Sequence, residues 1–143
     1  RQETFAVEDK EVMLNLIKNP VGFNQIVQLL SYEKEPFSLG VLLNDNPADG
    51  QDVSWIWDGD FEGLQALNAV DTAISGIRVE DLGVRMEVAG FEKMKVFKTN
   101  AELIDWIRKA PTKKVNVLAT YTALLNLRKD FAKEGYLKEG MNG

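Results

Sequence analysis

Apolar and polar positions along the chain switch repeatedly between two rhythms, and that switching is the main fold signal. Val12-Met13-Leu14-Asn15-Leu16-Ile17 is a short run rich in apolar and β-branched residues and predicts a strand. Asn19-Pro20 then supplies a cap and a first-turn proline. Behind it Phe23, Ile26, Val27 and Leu30 fall at i, i+3, i+4 and i+7, the stripe of a helix packed on a sheet. After Pro36, residues 37–43 predict a second strand, apolar enough to be buried on both faces as parallel sheets require. Asn46-Pro47 repeats the cap signal for a helix that Gly50 cuts short.

Residues 53–57, Val-Ser-Trp-Ile-Trp, predict a third strand that stops at Asp58-Gly59. Residues 61–67 predict a brief helix, 70–74 a fourth strand ending at Ser75-Gly76, and 78–89 a helix with Val79, Leu82 and Met86 on one face, closed by Gly90. Residues 94–97 form a weak strand. Thr99-Asn100-Ala101-Glu102 fits a capping box, and the helix it opens runs to about Lys109 and stops before Pro111. Residues 115–119 are the last strand and 122–134 the last helix, with Leu124, Leu127 and Phe131 inward and Gly135 as C-cap. Strands alternating with helices at this spacing predict an α/β fold, a three-layer Rossmann-like domain with a mostly parallel sheet and right-handed crossovers.

Length adds that 143 residues bury about 68% of the surface the unfolded chain exposes, enough for a core without metal or disulfide. The opening Arg1-Gln2-Glu3-Thr4-Phe5 runs straight into strand-like sequence, so residues 1–143 read as a single domain, excised from a longer protein. Composition then excludes chemistry. With neither cysteine nor histidine, the chain alone is not a Cys-His hydrolase, a Ser-His-Asp enzyme, a Cys/His zinc protein or a disulfide oxidoreductase. A net charge of −5 argues against nucleic acid as a partner. No run of 18 apolar residues marks a transmembrane segment and no signal peptide is seen, so a cytoplasmic location is the simplest reading.

Charge is unevenly spread. Between Lys34 and Arg78 no basic residue occurs, while Glu35, Asp45, Asp49, Asp52, Asp58, Asp60, Glu62 and Asp71 supply eight acids. A solvated acidic face is the plain reading. The other is a ligand or partner surface, because Asp45 and Asp58 directly follow predicted strands, and open α/β sheets meet ligands beyond their carboxyl ends. Laid on the calcium-loop template from Asp45, the segment has Pro47 and Ile56 where ligands belong, so an EF-hand is rejected; a looser Mg²⁺ site shared with a nucleotide stays open. No P-loop and no G-x-G-x-x-G is present. In a strand, Trp55 and Trp57 face opposite sides of the sheet, as packing residues under helices or, in the other reading, as rings for ligand stacking. Arg78 has two readings, a bidentate contact to a carboxylate or phosphate, or a pair with Glu80 or Asp81. Tyr121 reads as a hydrogen-bonded packing residue.

Three stretches together resemble one family: Lys18-Asn19-Pro20-Val21-Gly22-Phe23-Asn24-Gln25, the long run from Leu43-Asn44-Asp45-Asn46-Pro47 through Trp55-Ile56-Trp57-Asp58, and Ala119-Thr120-Tyr121-Thr122-Ala123-Leu124. They are similar to the C-terminal domain of MurT, the Mur-ligase-like subunit of bacterial lipid II isoglutaminyl synthase, and the likeness spans nearly the whole chain. The resemblance implies a Mur ligase C-terminal fold and a division of labour. An ATP-binding domain outside this chain, with Mg²⁺, activates the D-glutamate carboxyl of lipid II as an acyl phosphate at the inner face of the membrane. A GatD-like glutaminase releases ammonia from glutamine with a Cys and a His, and ammonia attack gives D-isoglutamine.

The resemblance also implies that an aspartate of this domain stands behind the partner's histidine. Asp58 is the expected triad carboxylate, ending a Trp-rich strand before Gly59, and Asp52 at the strand's other end is the runner-up. By the same resemblance Asn44 and Asn46 fall where Mur ligases contact ribose and adenine, although the loop departs from the DDYAHNP-like pattern of many Mur ligases and turn-and-cap chemistry also accounts for both residues. No metal ligand is expected. The alternatives are a non-catalytic nucleotide or Mg²⁺-binding module and a purely structural interaction domain.

Overall fold

The computed structural model describes residues 2–138, which leaves Arg1 of the strand-like opening outside the described residues. That opening folds as strand β1 (Gln2–Val7), which turns through Glu8 and Asp9 into β2 (Lys10–Leu16), with Glu8 taking a left-handed φ of 55° in the two-residue connection. The chain continues through α1 (Pro20–Ser31), β3 (Phe37–Leu42), α2 (Phe61–Ala66), β4 (Thr72–Ser75), α3 (Val79–Val88), β5 (Lys95–Val96), α4 (Asn100–Arg108), β6 (Lys114–Ala119) and α5 (Tyr121–Lys133). The six strands order as β1-β2-β6-β3-β4-β5. Only the hairpin pair is antiparallel; every other neighbouring pair is parallel.

Two cores flank the sheet, which makes the predicted three layers. α1, α2 and α3 cover one face with Phe23, Ile26, Val27, Leu30, Phe61, Leu64, Leu82 and Met86, against Leu39, Val41 and Ile74 from the strands and Leu43 just past β3. α4 and α5 cover the other with Leu103, Ile104, Trp106, Leu127 and Phe131, against Val12, Leu14, Leu42, Val115 and Val117. β3 is buried at all six positions, and its alternation delivers Leu39 and Val41 to one core and Leu42 to the other. Each buried Leu or Phe side chain contributes about 1.5–3 kcal/mol, so both layers are held mainly by apolar burial.

Local signals set the helix ends. Asn19 Oδ1 accepts from the amide of Gly22, and Pro20 begins α1. The Thr99–Glu102 capping box forms as predicted, with Glu102 N donating to Thr99 Oγ1 at 3.2 Å and Thr99 N donating to Glu102 Oε1 at 3.1 Å. Gly90 and Gly135, both at positive φ, close α3 and α5.

One expected element is corrected. Val53–Trp57 is a 3-10 helix rather than a strand. Asp52 Oδ1 accepts from Ser54 N at 2.9 Å and starts the turn, while Val53 and Ile56, three apart, are its buried residues. The slot beside β3 is taken by β4, so the Trp-rich segment has no strand to pair with there. Trp55 and Trp57 therefore do not straddle a sheet: Trp55 packs edge-on to Phe23 with ring centroids 6.1 Å apart, and Trp57 is half exposed.

Candidate functional site

The carboxyl ends of β3, β4 and β6 meet around Asn44, which is buried and has both ends of its amide engaged. Its Oδ1 accepts from Ile77 N at 2.8 Å, its Nδ2 donates to Thr122 Oγ1 at 2.9 Å, and its backbone N donates to Thr120 Oγ1 at 2.9 Å. Asn46, half-buried, donates from Nδ2 to the same Thr122 oxygen at 3.0 Å. Asp49, predicted as one of the surface acids, is buried instead. It accepts from Thr122 N at 2.7 Å, Thr122 Oγ1 at 2.5 Å and Asn46 N at 3.0 Å, so three donors replace the water a carboxylate loses on burial.

Gly76 lets β4 join this corner. Its φ is +110°, and a Cβ there would stand 2.4 Å from the carbonyl oxygen of Leu43. Arg78 takes the internal reading of its two, donating to Asp81 at 2.6 Å and to Asp45 at 2.9 Å, and both carboxylates raise its pKa. A cleft of about 240 Å³ opens beside the corner, lined by Asn44, Ser75, Gly76, Lys98, Asn100 and Asn126 among others. Tyr121 begins α5 with its side chain exposed.

Asp58 lies in a separate region, the turn joining the 3-10 helix to α2. It caps the C-terminal end of Val53–Trp57, its backbone N donating to Trp55 O at 3.0 Å, and its side chain is exposed. Asp58 therefore does not end a strand as expected; it stands on a clamped turn that no strand supports. Gly59 is buried tightly enough that a Cβ would meet the Phe23 ring at 3.2 Å. The two rings below it, Phe23 and Phe61, stack with centroids 4.3 Å apart.

The clamp is Arg85 of α3, buried at 3% exposure, which the sequence reading passed over. Its Nε donates to Ile56 O at 2.8 Å and its Nη2 to Gly59 O at 2.9 Å, bracketing Asp58 along the backbone. Its Nη1 and Nη2 also take the two oxygens of Glu62 at 2.9 and 2.8 Å. That pair, chiefly through its hydrogen bonds to Arg85, lowers the Glu62 carboxyl from 4.5 to about 2. The guanidinium also lies over the rings of Trp57 and Phe61, 5.2 and 5.0 Å from their centroids. A signal for it existed, since position 85 sits beside Leu82 and Met86 on the inward face of α3.

The eight acids of the cation-free window can now be sorted. Asp45 pairs with Arg78, Glu62 with Arg85, and Asp71 with Lys95 and the Trp106 indole; Glu35 lies 3.8 Å from Lys114. Asp49 is internal, Asp52 caps Ser54, and Asp60 caps α2 by accepting from Gly63 N at 2.9 Å. Hydrogen bonding to Ser54 lowers the Asp52 carboxyl pKa. Among the described residues, Asp58 is the one acid of the window whose carboxylate has no partner within the chain. No group of three or more acids among the described residues is arranged to hold a metal ion, and no helix among them is long and apolar enough to cross a membrane.

Comparison with known proteins identifies the lineage. The family model described as MurT ligase C-terminal matches residues 16–124. The chain belongs to the MurT ligase C-terminal family. It is 40% identical over 144 aligned positions to the lipid II isoglutaminyl synthase (glutamine-hydrolyzing) subunit MurT of Streptococcus pneumoniae (strain ATCC BAA-255 / R6), covering 99% of this chain and 32% of that protein. To the MurT subunit of Staphylococcus aureus (strain COL) it is 35% identical over 111 positions, covering 74% of this chain and 25% of that protein. The chain thus spans about a third or less of the curated MurT relatives it matches.

Solved structures share the fold. A folylpolyglutamate synthase of Thermotoga maritima superposes with a TM-score of 0.59 at 19% identity, covering 97% of this chain and 31% of that one. The UDP-N-acetylmuramate-alanine ligase MurC of Thermotoga maritima does so at 0.55 and 11%, covering 91% and 28%. The MurT C-terminal sequence therefore adopts the three-layer arrangement seen within these ligases.

Proposed function

We propose that this chain is the C-terminal part of an ATP-dependent amidating subunit that converts the D-glutamate of lipid II to D-isoglutamine, and that Asp58 completes a Cys-His-Asp triad with a GatD-like glutaminase. The carrying observation is the unpartnered, exposed Asp58 carboxylate on a turn that Arg85 holds. A triad carboxylate fixes the imidazole tautomer and stabilises the imidazolium, and it must be held firmly while remaining free to accept from another chain. Asp52 meets the first need and fails the second, because its Oδ1 is occupied by Ser54 N. The chain has no histidine or cysteine, so the nucleophile and base come from the partner.

ATP and Mg²⁺ belong to the proposed subunit as a whole. When bound, ATP supplies the phosphoryl group that activates the glutamate carboxyl. Both ends of the Asn44 amide are spent inside the chain, so it fits a nucleotide indirectly, by fixing the backbone at residues 44 and 77, while half-buried Asn46 lies at the rim. By the family resemblance Mg²⁺ is placed mainly with the domains outside this chain, and no three acids among the described residues are gathered to hold one. The work is placed at the cytoplasmic face of the membrane, where lipid II is assembled.

The test is glutamate release from glutamine by the complete subunit with its glutaminase. Asp58→Asn is expected to lower the rate by about 10³ to 10⁴, up to the loss of about 10⁴ that the same change causes in the serine-protease template. A loss below about tenfold removes Asp58 from the triad.

A further inference from the structure

We infer that Arg85 is the positioning residue for Asp58, aiming the carboxylate at the partner's imidazole through the backbone on either side of it. The inference rests on the triad reading above and goes beyond it by assigning the geometry to a residue that touches neither substrate nor histidine. The turn from 56 to 59 is short; its local ties are Asp58 N to Trp55 O and Phe61 N to Gly59 O, with Asp60 N donating to Asn24 Oδ1 just beyond it. Arg85 adds three constraints from one planar group. It holds Ile56 O two residues before Asp58, holds Gly59 O one residue after it, and lies over the Trp57 ring next to it.

The clamp is itself locked. Glu62 accepts both terminal nitrogens of Arg85 in the fork geometry that only a guanidinium provides, and the low Glu62 pKa keeps that carboxylate ionised throughout the working pH range. Burial of Arg85 at 3% exposure excludes water that would otherwise compete for the two carbonyls. This cation belongs to α3, yet it spends all its donors named here on the turn and on α2. A buried arginine is costly to keep, and a purely apolar residue beside Leu82 and Met86 would fill the core without it. What the arginine supplies in return is a defined backbone path across residue 58. A misplacement of about 1 Å in such a group costs on the order of 10² in rate.

The experiment uses the full-length subunit co-purified with its glutaminase and compares Arg85→Lys, Glu62→Gln and Asp58→Asn. Arg85→Lys keeps the charge and loses the fork; Glu62→Gln, at an exposed position, loosens the lock. Glutamine-driven amidation is measured beside amidation driven by added ammonium salt, which bypasses the triad. Arg85→Lys is expected to lower kcat for glutamine hydrolysis at least tenfold and Glu62→Gln about threefold. KM for glutamine and the ammonium-driven rate should stay within twofold. The alkaline limb of the glutaminase pH profile should also move down in Arg85→Lys, as in Asp58→Asn, because an imidazolium without its carboxylate loses its proton at lower pH.

Equal losses with glutamine and ammonium, or an unmoved pH profile, would show Arg85 to be merely structural and overturn the inference. Full glutaminase activity in Arg85→Lys with Asp58→Asn inactive overturns the inference alone. Full activity in Asp58→Asn overturns the triad reading beneath it. Where Arg85→Lys does not fold, Glu62→Gln decides by the same two readouts.

Discussion

The corner around Asn44 and the turn around Asp58 are both rich in polar groups, and they spend them in opposite ways. At the corner, Asn44, Asn46, Asp49, Thr120 and Thr122 satisfy one another, and the result is a cross-tie between strand ends. At the turn, Arg85, Glu62, Asp52 and Asp60 are all engaged with the backbone or each other, and one carboxylate is left over. Residue type does not separate an acid spent inside the chain from one left unpaired here; accounting for every donor does.

The sharpest way to break the comparison is Asp58→Asn. It should abolish glutamine-driven activity by the three to four orders of magnitude given above, about 4–5.5 kcal/mol of transition-state free energy, while thermal unfolding of the subunit stays within about 0.5 kcal/mol of wild type. Asp49→Ala should invert that pattern. It strands the amides of Thr122 and Asn46 in a buried corner, so calorimetry or urea unfolding should show a loss of about 2–4 kcal/mol. A drop in the glutaminase rate without a drop in stability would contradict the assignment.

Asp52→Ala removes a cap and should cost about 1 kcal/mol in the same assay, with glutamine hydrolysis unchanged within twofold. Acid titration of the lock is the smallest effect. The Glu62 pKa is lowered by folding from 4.5 to about 2, so its contribution is complete above about pH 4.5 and fades as pH falls toward 2. Over half of the Glu62 side chain is exposed, so the stability gap between wild type and Glu62→Gln should be no more than about 1 kcal/mol near pH 6 and should close near pH 2.

Most of the architecture was legible in the chain because its local signals agree with its tertiary ones. The Phe23, Ile26, Val27, Leu30 stripe is the buried face of α1, the 99–102 box caps α4, and the apolar 37–43 run is the buried central strand β3. Val53–Trp57 misled because β-branched and aromatic residues favour extended backbone, whereas a single aspartate side chain and the lack of a neighbouring strand decided for a 3-10 turn. The i, i+3 spacing of Val53 and Ile56 carried the correct period. Asp58 was selected from its place beside Gly59 and from family resemblance, and its lack of a partner could be seen only once the other seven acids had found theirs. Arg85 was hidden for a related reason: its partners lie 23 to 29 residues away, beyond any periodicity that a helix window can sample.

That long-range tie has a thermal consequence. Because the turn's anchor sits in a helix of the main core, residue 58 is expected to melt with the whole layer rather than in a separate, softer transition of its own. Heating the proposed complex should therefore leave the geometry at residue 58 intact up to the point at which the domain itself unfolds, so inactivation and denaturation would trace one curve.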